Sequence, residues 1–204
     1  MKKITIISVV FLCIGLTGVT QASITIDFES DSAGSKPNGW VSADTPLVSF
    51  SDSLGADLVV GDYGVSGHGN ALGVFWDDPS YMIMDFSVIT TSLQLEFGND
   101  DANWSNPGDE AILTVFLGGT QVGQTSVVMN RDDIMNQSIS ISGVNFDQAT
   151  FFFDVSRTPP NPPGLIEVVD NITFTPTPIP APGAILLGSI GAGFVGWLRR
   201  RKSL

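Results

Sequence analysis

The chain has 204 residues, 43% of them hydrophobic and 15% charged, with 21 Asp and Glu against nine Lys and Arg. All 21 acids fall between positions 23 and 175, where the cations are Lys36, Arg131 and Arg157 alone. That balance excludes nucleic acid and anionic lipid as partners of this stretch, because neutralising phosphates takes clustered Lys and Arg. The single cysteine, Cys13, lies near the N-terminus, so the rest of the chain has no disulfide, thiolate nucleophile or cysteine-ligated zinc.

Taken in chain order, Met1-Lys2-Lys3 is a positive start, 4–19 is almost wholly apolar, and Thr20-Gln21-Ala22 offers the small residues that a signal peptidase reads. Residues 1–22 are therefore expected to be a signal peptide cut after Ala22. A lipoprotein signal would need a small residue immediately before the cysteine; Leu12 stands there, so no lipid is expected.

Residues 23–175, roughly 150 in number, make one domain long enough to bury a core. Short β-branched or alternating runs occur at 24–28, 57–60, 71–76, 82–86, 93–97, 112–117, 125–129, 138–141, 150–155 and 167–175, each ending in turn residues. Leu93, Leu95 and Phe97 share one face with Gln94 and Glu96 on the other, as a half-solvated antiparallel strand requires. Gly118-Gly119 reads as a hairpin turn after 112–117, and Phe151-Phe152-Phe153 must present rings to both faces of its strand. About ten strands in this length predict an all-β fold, a jelly-roll-like antiparallel β-sandwich rather than a smaller immunoglobulin-type one.

Asp27 and Glu29 straddle the end of the first strand, and Asp170 and Asn171 lie in the last. This pattern is similar to that of jelly-roll carbohydrate modules, whose first and last strands are neighbours with a structural Ca²⁺ beside them. The resemblance implies Ca²⁺ held by Asp27, Glu29, Asp170 and Asn171, since Ca²⁺ takes roughly six to eight oxygens from carboxylates and carbonyls. The loop Asn99-Asp100-Asp101-Ala102-Asn103 is a second candidate, without the spacing of an EF-hand. The plainer reading of each residue is a turn former and solubilising charge.

Among the aromatics, Trp40, Tyr63, Trp76, Tyr81 and Trp104 sit in or beside Gly, Asp, Asn and Pro-rich stretches. Trp76 and Trp104 are the candidates for stacking on a sugar. Equally, Trp76 shares parity with Val74 and would suit the core, and Trp104 would suit a lid over the mouth of the sandwich. The only histidine, His68, occupies the position where a Gly-x-Ser-x-Gly elbow needs its final glycine, and no helix follows it. No pair of carboxylates is singled out for glycoside hydrolysis, so no enzyme is expected. Three Asn-x-Ser/Thr triplets, at 103, 136 and 171, are assigned no role.

At the C-terminus, four prolines at 176, 178, 180 and 182 make an extended linker over 176–183. Residues 184–198 carry no charge; as a helix they would cover about 22 Å of a hydrocarbon core of roughly 30 Å. Bilayer thinning and snorkelling arginines close that gap, which suits temporary retention as a transmembrane helix. Arg199-Arg200-Arg201-Lys202 would stay in the cytoplasm. Gly188, Ala192 and Gly196 put small side chains on one helix face, open to a second helix or simply typical of membrane helices.

Pro180-Ala181-Pro182, the apolar 184–198 and the basic 199–202 together resemble the PEP-CTERM sorting signal of bacterial surface proteins, over residues 180–204. The resemblance implies recognition by an exosortase, cleavage near the proline motif and release to the cell envelope or extracellular matrix. Ala181 departs from the pattern, which carries Glu between the prolines. The sequence thus predicts an exported, structural or adhesive β-sandwich held first at the membrane. The alternative is a Ca²⁺-stabilised carbohydrate-binding module with an extracellular polysaccharide as partner, and an extracellular hydrolase comes third.

Overall fold

The computed structural model describes residues 22–63, 69–75, 80–154, 165–177, 188 and 190–195. The signal peptide expected at 1–22 (Ala22 excepted), the motif Pro180, Ala181 and Pro182, the cluster Arg199, Arg200, Arg201 and Lys202, and the residues His68 and Trp76 lie outside them. Of the helix expected at 184–198, residues 188 and 190–195 are described, and they are helical and exposed. No helix among the described residues is long and apolar enough to cross a membrane.

Residues Gln21–Thr177 form one compact unit. Its described residues build eleven strands: β1 (Ile24–Ile26), β2 (Gly34–Lys36), β3 (Trp40–Val41), β4 (Val48–Asp52), β5 (Leu58–Gly61), β6 (Ala71–Val74), β7 (Met82–Gly98), β8 (Glu110–Leu117), β9 (Thr120–Val128), β10 (Gln137–Asp154) and β11 (Glu167–Pro176). They pair antiparallel in the order β2-β5-β6-β11-β7-β10-β8-β9, with β1 on β11 and β3-β4 on β7.

Two long strands turn this ladder into two layers. The first part of β7, Met82 to Phe86, pairs with β4, and its second part pairs with β11. Likewise β10 pairs with the second part of β7 over Gln137 to Ser142 and with β8 from Gln148 onward. Between the two parts the register slips, from Ser142↔Ser92 through Phe146↔Thr90 to Gln148↔Asp85, and both strands bend there. Rings from the two layers then meet edge-on or tilted: Phe28 against Phe50 at 5.8 Å, Phe86 against Phe174 at 5.2 Å, and Phe97 against Phe151 at 5.7 Å between centroids. The result is an antiparallel β-sandwich with one main core.

The alternation expected at 93–97 holds, with Leu93, Leu95 and Phe97 buried and Gln94 exposed. Phe151 and Phe153 enter the core while Phe152 faces outward against Tyr81. Gly118 and Gly119 make the β8–β9 turn at φ +55° and +78°, which a side chain at either position would strain. The runs 82–86 and 93–97 are one strand, as are 138–141 and the described residues 150–154, because the residues between them bend rather than turn back. The strand β11 also runs through Pro176, and Thr177 N donates to Ile89 O at 2.7 Å, so the first two residues read as linker belong to the sheet. A proline is tolerated at that strand end, where the missing donor breaks no central ladder.

Candidate functional site

Both ends of this unit leave from the same end of the sandwich, where the Ser23 and Thr175 hydroxyls are 3.0 Å apart. At the opposite end β11 begins, with Glu167 beside Val74 and Val168 beside Gly98. There the loops gather. Phe75 N donates to Asp57 O at 3.0 Å, Ser53 N to Tyr81 O at 3.1 Å, Phe153 N to Glu167 Oε1 at 3.3 Å, and Arg131 N to Asp100 Oδ2 at 2.9 Å. The segments that follow β4, β6, β7 and β9 and the facing ends of β10 and β11 are thereby tied in pairs at this end, the kind of place where strand scaffolds carry function.

The first and last strands are neighbours, with Ile24 opposite Phe174 and Ile26 opposite Ile172. The four residues considered for metal nevertheless divide into two groups. Asp170 is buried opposite Glu96, and a bulge puts Asn171 at φ +47°, from where its amide donates to Glu96 Oε2 at 2.9 Å. Asp27 and Glu29 instead serve the turn around Phe28: Asp27 Oδ1 accepts from Glu29 N at 3.1 Å, and Glu29 Oε1 accepts from Asn70 N at 2.9 Å. Phe28 stands at φ +58° with its ring fully buried between Trp40 and Phe50, a conformation that costs energy and persists because its surroundings over-determine it. Asp44 Oδ2 helps by taking both Asp27 N and Phe28 N. Asp31 latches the same turn to the next segment through Ser42 Oγ at 2.6 Å and Ala43 N at 2.8 Å. Among the described residues, no three His, Cys, Asp or Glu side chains gather closely enough to hold a metal ion by themselves.

The aromatic candidates separate clearly by exposure. Trp40 belongs to the core, with the Lys36 ammonium 5.3 Å over its ring. Tyr63 lies half-buried against Ala71, Met135 and Val168; its hydroxyl donates to Val59 O at 2.9 Å, and burial pushes the phenol well above its ordinary range, so it stays neutral. Trp104 is 51% exposed, on a turn in which Asp101 O accepts from Trp104 N and Ser105 N. Phe75 and Tyr81, also at the loop end, are 46% and 39% exposed. Composition alone singles out Trp104, in a polar loop, but not Phe75, which continues an apolar strand.

The 99–109 loop closes over residues 129–136 through Arg131, whose Nε donates to Ser105 O at 3.0 Å and whose Nη2 donates to Ala102 O at 2.7 Å. Asn99, Arg131 and Asp133 all have φ near +60°, so three of the five left-handed non-glycine residues described sit in this one junction. Asp133 is held above the usual carboxylate range first by burial and then by Asp101, Asp100 and Asp132. The junction is negative and constrained.

No family model matches the chain, and no curated protein matches it in sequence. Among solved structures, the K2 cleaved adhesin domain of Lys-gingipain is similar over 76% of this chain and 99% of its own, at 14% identity and a TM-score of 0.47. CsCBM6-3 from Clostridium stercorarium, solved with cellobiose, is similar over 79% of this chain and 100% of its own, at 15% identity and 0.37. CBM32-2, solved with GalNAc, is similar over 62% of this chain and 97% of its own, at 13% and 0.33. All three lie below a TM-score of 0.5, so nothing about ligand or activity transfers to this chain.

Proposed function

We propose that this is an exported surface or matrix protein whose β-sandwich, wound as a jelly roll, has a structural or adhesive role. The observation that carries the reading is the order of parts at the C-terminus. Pro180-Ala181-Pro182, the uncharged 184–198 and Arg199-Arg200-Arg201-Lys202 follow a body whose last strand is tied down as far as Thr177. In this reading a signal peptidase removes 1–22, the C-terminal helix holds the chain at the membrane, and an exosortase-type protease acting on 180–204 releases it to the envelope or matrix. The body binds or builds rather than catalyses. Pulse-labelling tests this: the full chain passes through a membrane-bound precursor, whereas a chain ending at Thr177 goes straight to the medium. Neutral residues at 199–202 weaken retention, because the cations resist translocation. Equal rates for the full and shortened chains, with no membrane intermediate, overturn the reading.

A second reading, binding of an extracellular polysaccharide, is favoured by the exposed rings of Trp104, Tyr81 and Phe75 at the end opposite the termini. Such rings stack on the apolar faces of sugars. Retention on a neutral polysaccharide that is lost on Trp104→Ala supports it, and equal retention removes it.

A further inference from the structure

We infer that the loop end holds a divalent cation, Ca²⁺ by the chemistry of its donors, between residues 99–109 and 129–136, with Asp100 and Asp109 as its carboxylate ligands. The inference rests neither on sorting nor on sugar binding. Both carboxylates are 1% exposed. Each uses one oxygen to accept a backbone amide, Arg131 N at 2.9 Å for Asp100 Oδ2 and Asn106 N at 2.7 Å for Asp109 Oδ2. The other oxygen of each, Oδ1, is shut off from water with no hydrogen-bond partner, and so is the Nδ2 of Asn106 in the same loop. A half-turn of that amide exchanges its nitrogen for its oxygen, so this buried position presents a third oxygen.

An ionised oxygen removed from water is stable only against a cation or a donor. The guanidinium that reaches into this loop, that of Arg131, is engaged by the Ala102 and Ser105 carbonyls. Asp101, Asp132 and Asp133 add to the negative potential, which acts after burial in holding Asp133 above the usual carboxylate range. The donors are all oxygens, which points to a hard cation. Because no three acidic side chains converge among the described residues, two carboxylates must be joined by amide, carbonyl or water oxygens. Ca²⁺ accepts that mixed and irregular set, whereas Mg²⁺ demands a near-ideal octahedron and gives up water reluctantly.

Trp104, four positions from Asp100, supplies the readout: Tb³⁺ seated in a Ca²⁺ site emits when a nearby tryptophan is excited. The full-length chain in detergent is expected to show Tb³⁺ emission that Ca²⁺ displaces, and a melting temperature raised by Ca²⁺ and lowered by chelator. Asp100→Asn and Asp109→Asn should each weaken Ca²⁺ binding roughly tenfold or more, while Asp170→Asn, beside the first and last strands, leaves it unchanged. Trp104→Phe should abolish the emission and keep the thermal shift, which decides the matter even where the aspartate variants fail to fold. Equal melting in millimolar Ca²⁺ and in chelator overturns the inference. So does emission that survives Trp104→Phe, or a Ca²⁺ response lost with Asp170→Asn and kept with Asp100→Asn.

Discussion

Substituting Gly98 with alanine should loosen the loop end from within. Gly98 closes β7, and a Cβ there would stand 2.8 Å from Met135 Sδ and 3.0 Å from both the Ile134 carbonyl carbon and the Met135 nitrogen. The thioether can swing aside; the two main-chain atoms cannot. The backbone of Gly98 is not left-handed, so the cost is contact rather than conformation. Overpacking of this kind costs about 1–3 kcal/mol, offset by roughly 0.4–1 kcal/mol from the stiffer unfolded chain. The net loss is about 1.5 kcal/mol. For a unit of roughly 150 residues that is a fall of about 3–6 °C in Tm. Gly61→Ala is the control, since a Cβ at Gly61 in β5 meets nothing within 4 Å and should gain about 0.5 kcal/mol. Calorimetry of the full-length chain in chelator measures both. A Gly98→Ala protein that melts with the parent, or a Gly61→Ala protein that falls as far, refutes the close approach of 134–135 to β7.

The other two predictions concern single carboxylates. Asp31→Ala removes the acceptor for Ser42 Oγ and Ala43 N, leaving the buried Ser42 hydroxyl only the bond it accepts from Asp44 N, so it should cost about 2 kcal/mol in urea unfolding. Asp133 works in the opposite sense: a carboxyl held above its ordinary range binds its proton more tightly in the folded state, so its ionisation opposes folding above that range and the penalty lifts on acidification. Asp133→Asn should therefore raise the urea midpoint at pH 7 in chelator, with the advantage shrinking as the pH falls through the carboxylate range; a variant less stable than the parent at pH 7 contradicts the sign.

Strands with three or more alternating apolar residues were legible because period two identifies the buried face without help from the rest of the chain; the second part of β7 and β11 are such cases. The strands β2 and β3, Gly34–Lys36 and Trp40–Val41, carry no such period and exist only because β5 and β4 offer them edges. The bends in β7 and β10 were hidden because Ser, Thr, Gly and Asn serve a bulge as readily as a turn. At the loop end, the exposure of Trp104 followed from its polar neighbours. The burial of Asp100 did not, since it depends on Arg131, 31 positions away, folding back over the loop. For Asp27 the obstacle was the left-handed Phe28, whose turn engages the very carboxylate that a pattern of acids would assign to metal.

Pulled by its two ends, the unit would yield first at β1, because Ser23 and Thr175 leave side by side and the bonds of an antiparallel pair then open one after another, as in a zipper. Were the chain cut after Ala22, as the proposed function supposes, the N-terminal end would be free and that weak line would leave the path of force. Tension would then enter through whatever the loop end grips and leave through Thr177, along a ten-residue strand bonded to β7 on one side and to β6 and β1 on the other. Those ladders bear load in shear, many bonds at once. A tether at the C-terminal end alone is thus the arrangement in which this sandwich resists being drawn apart.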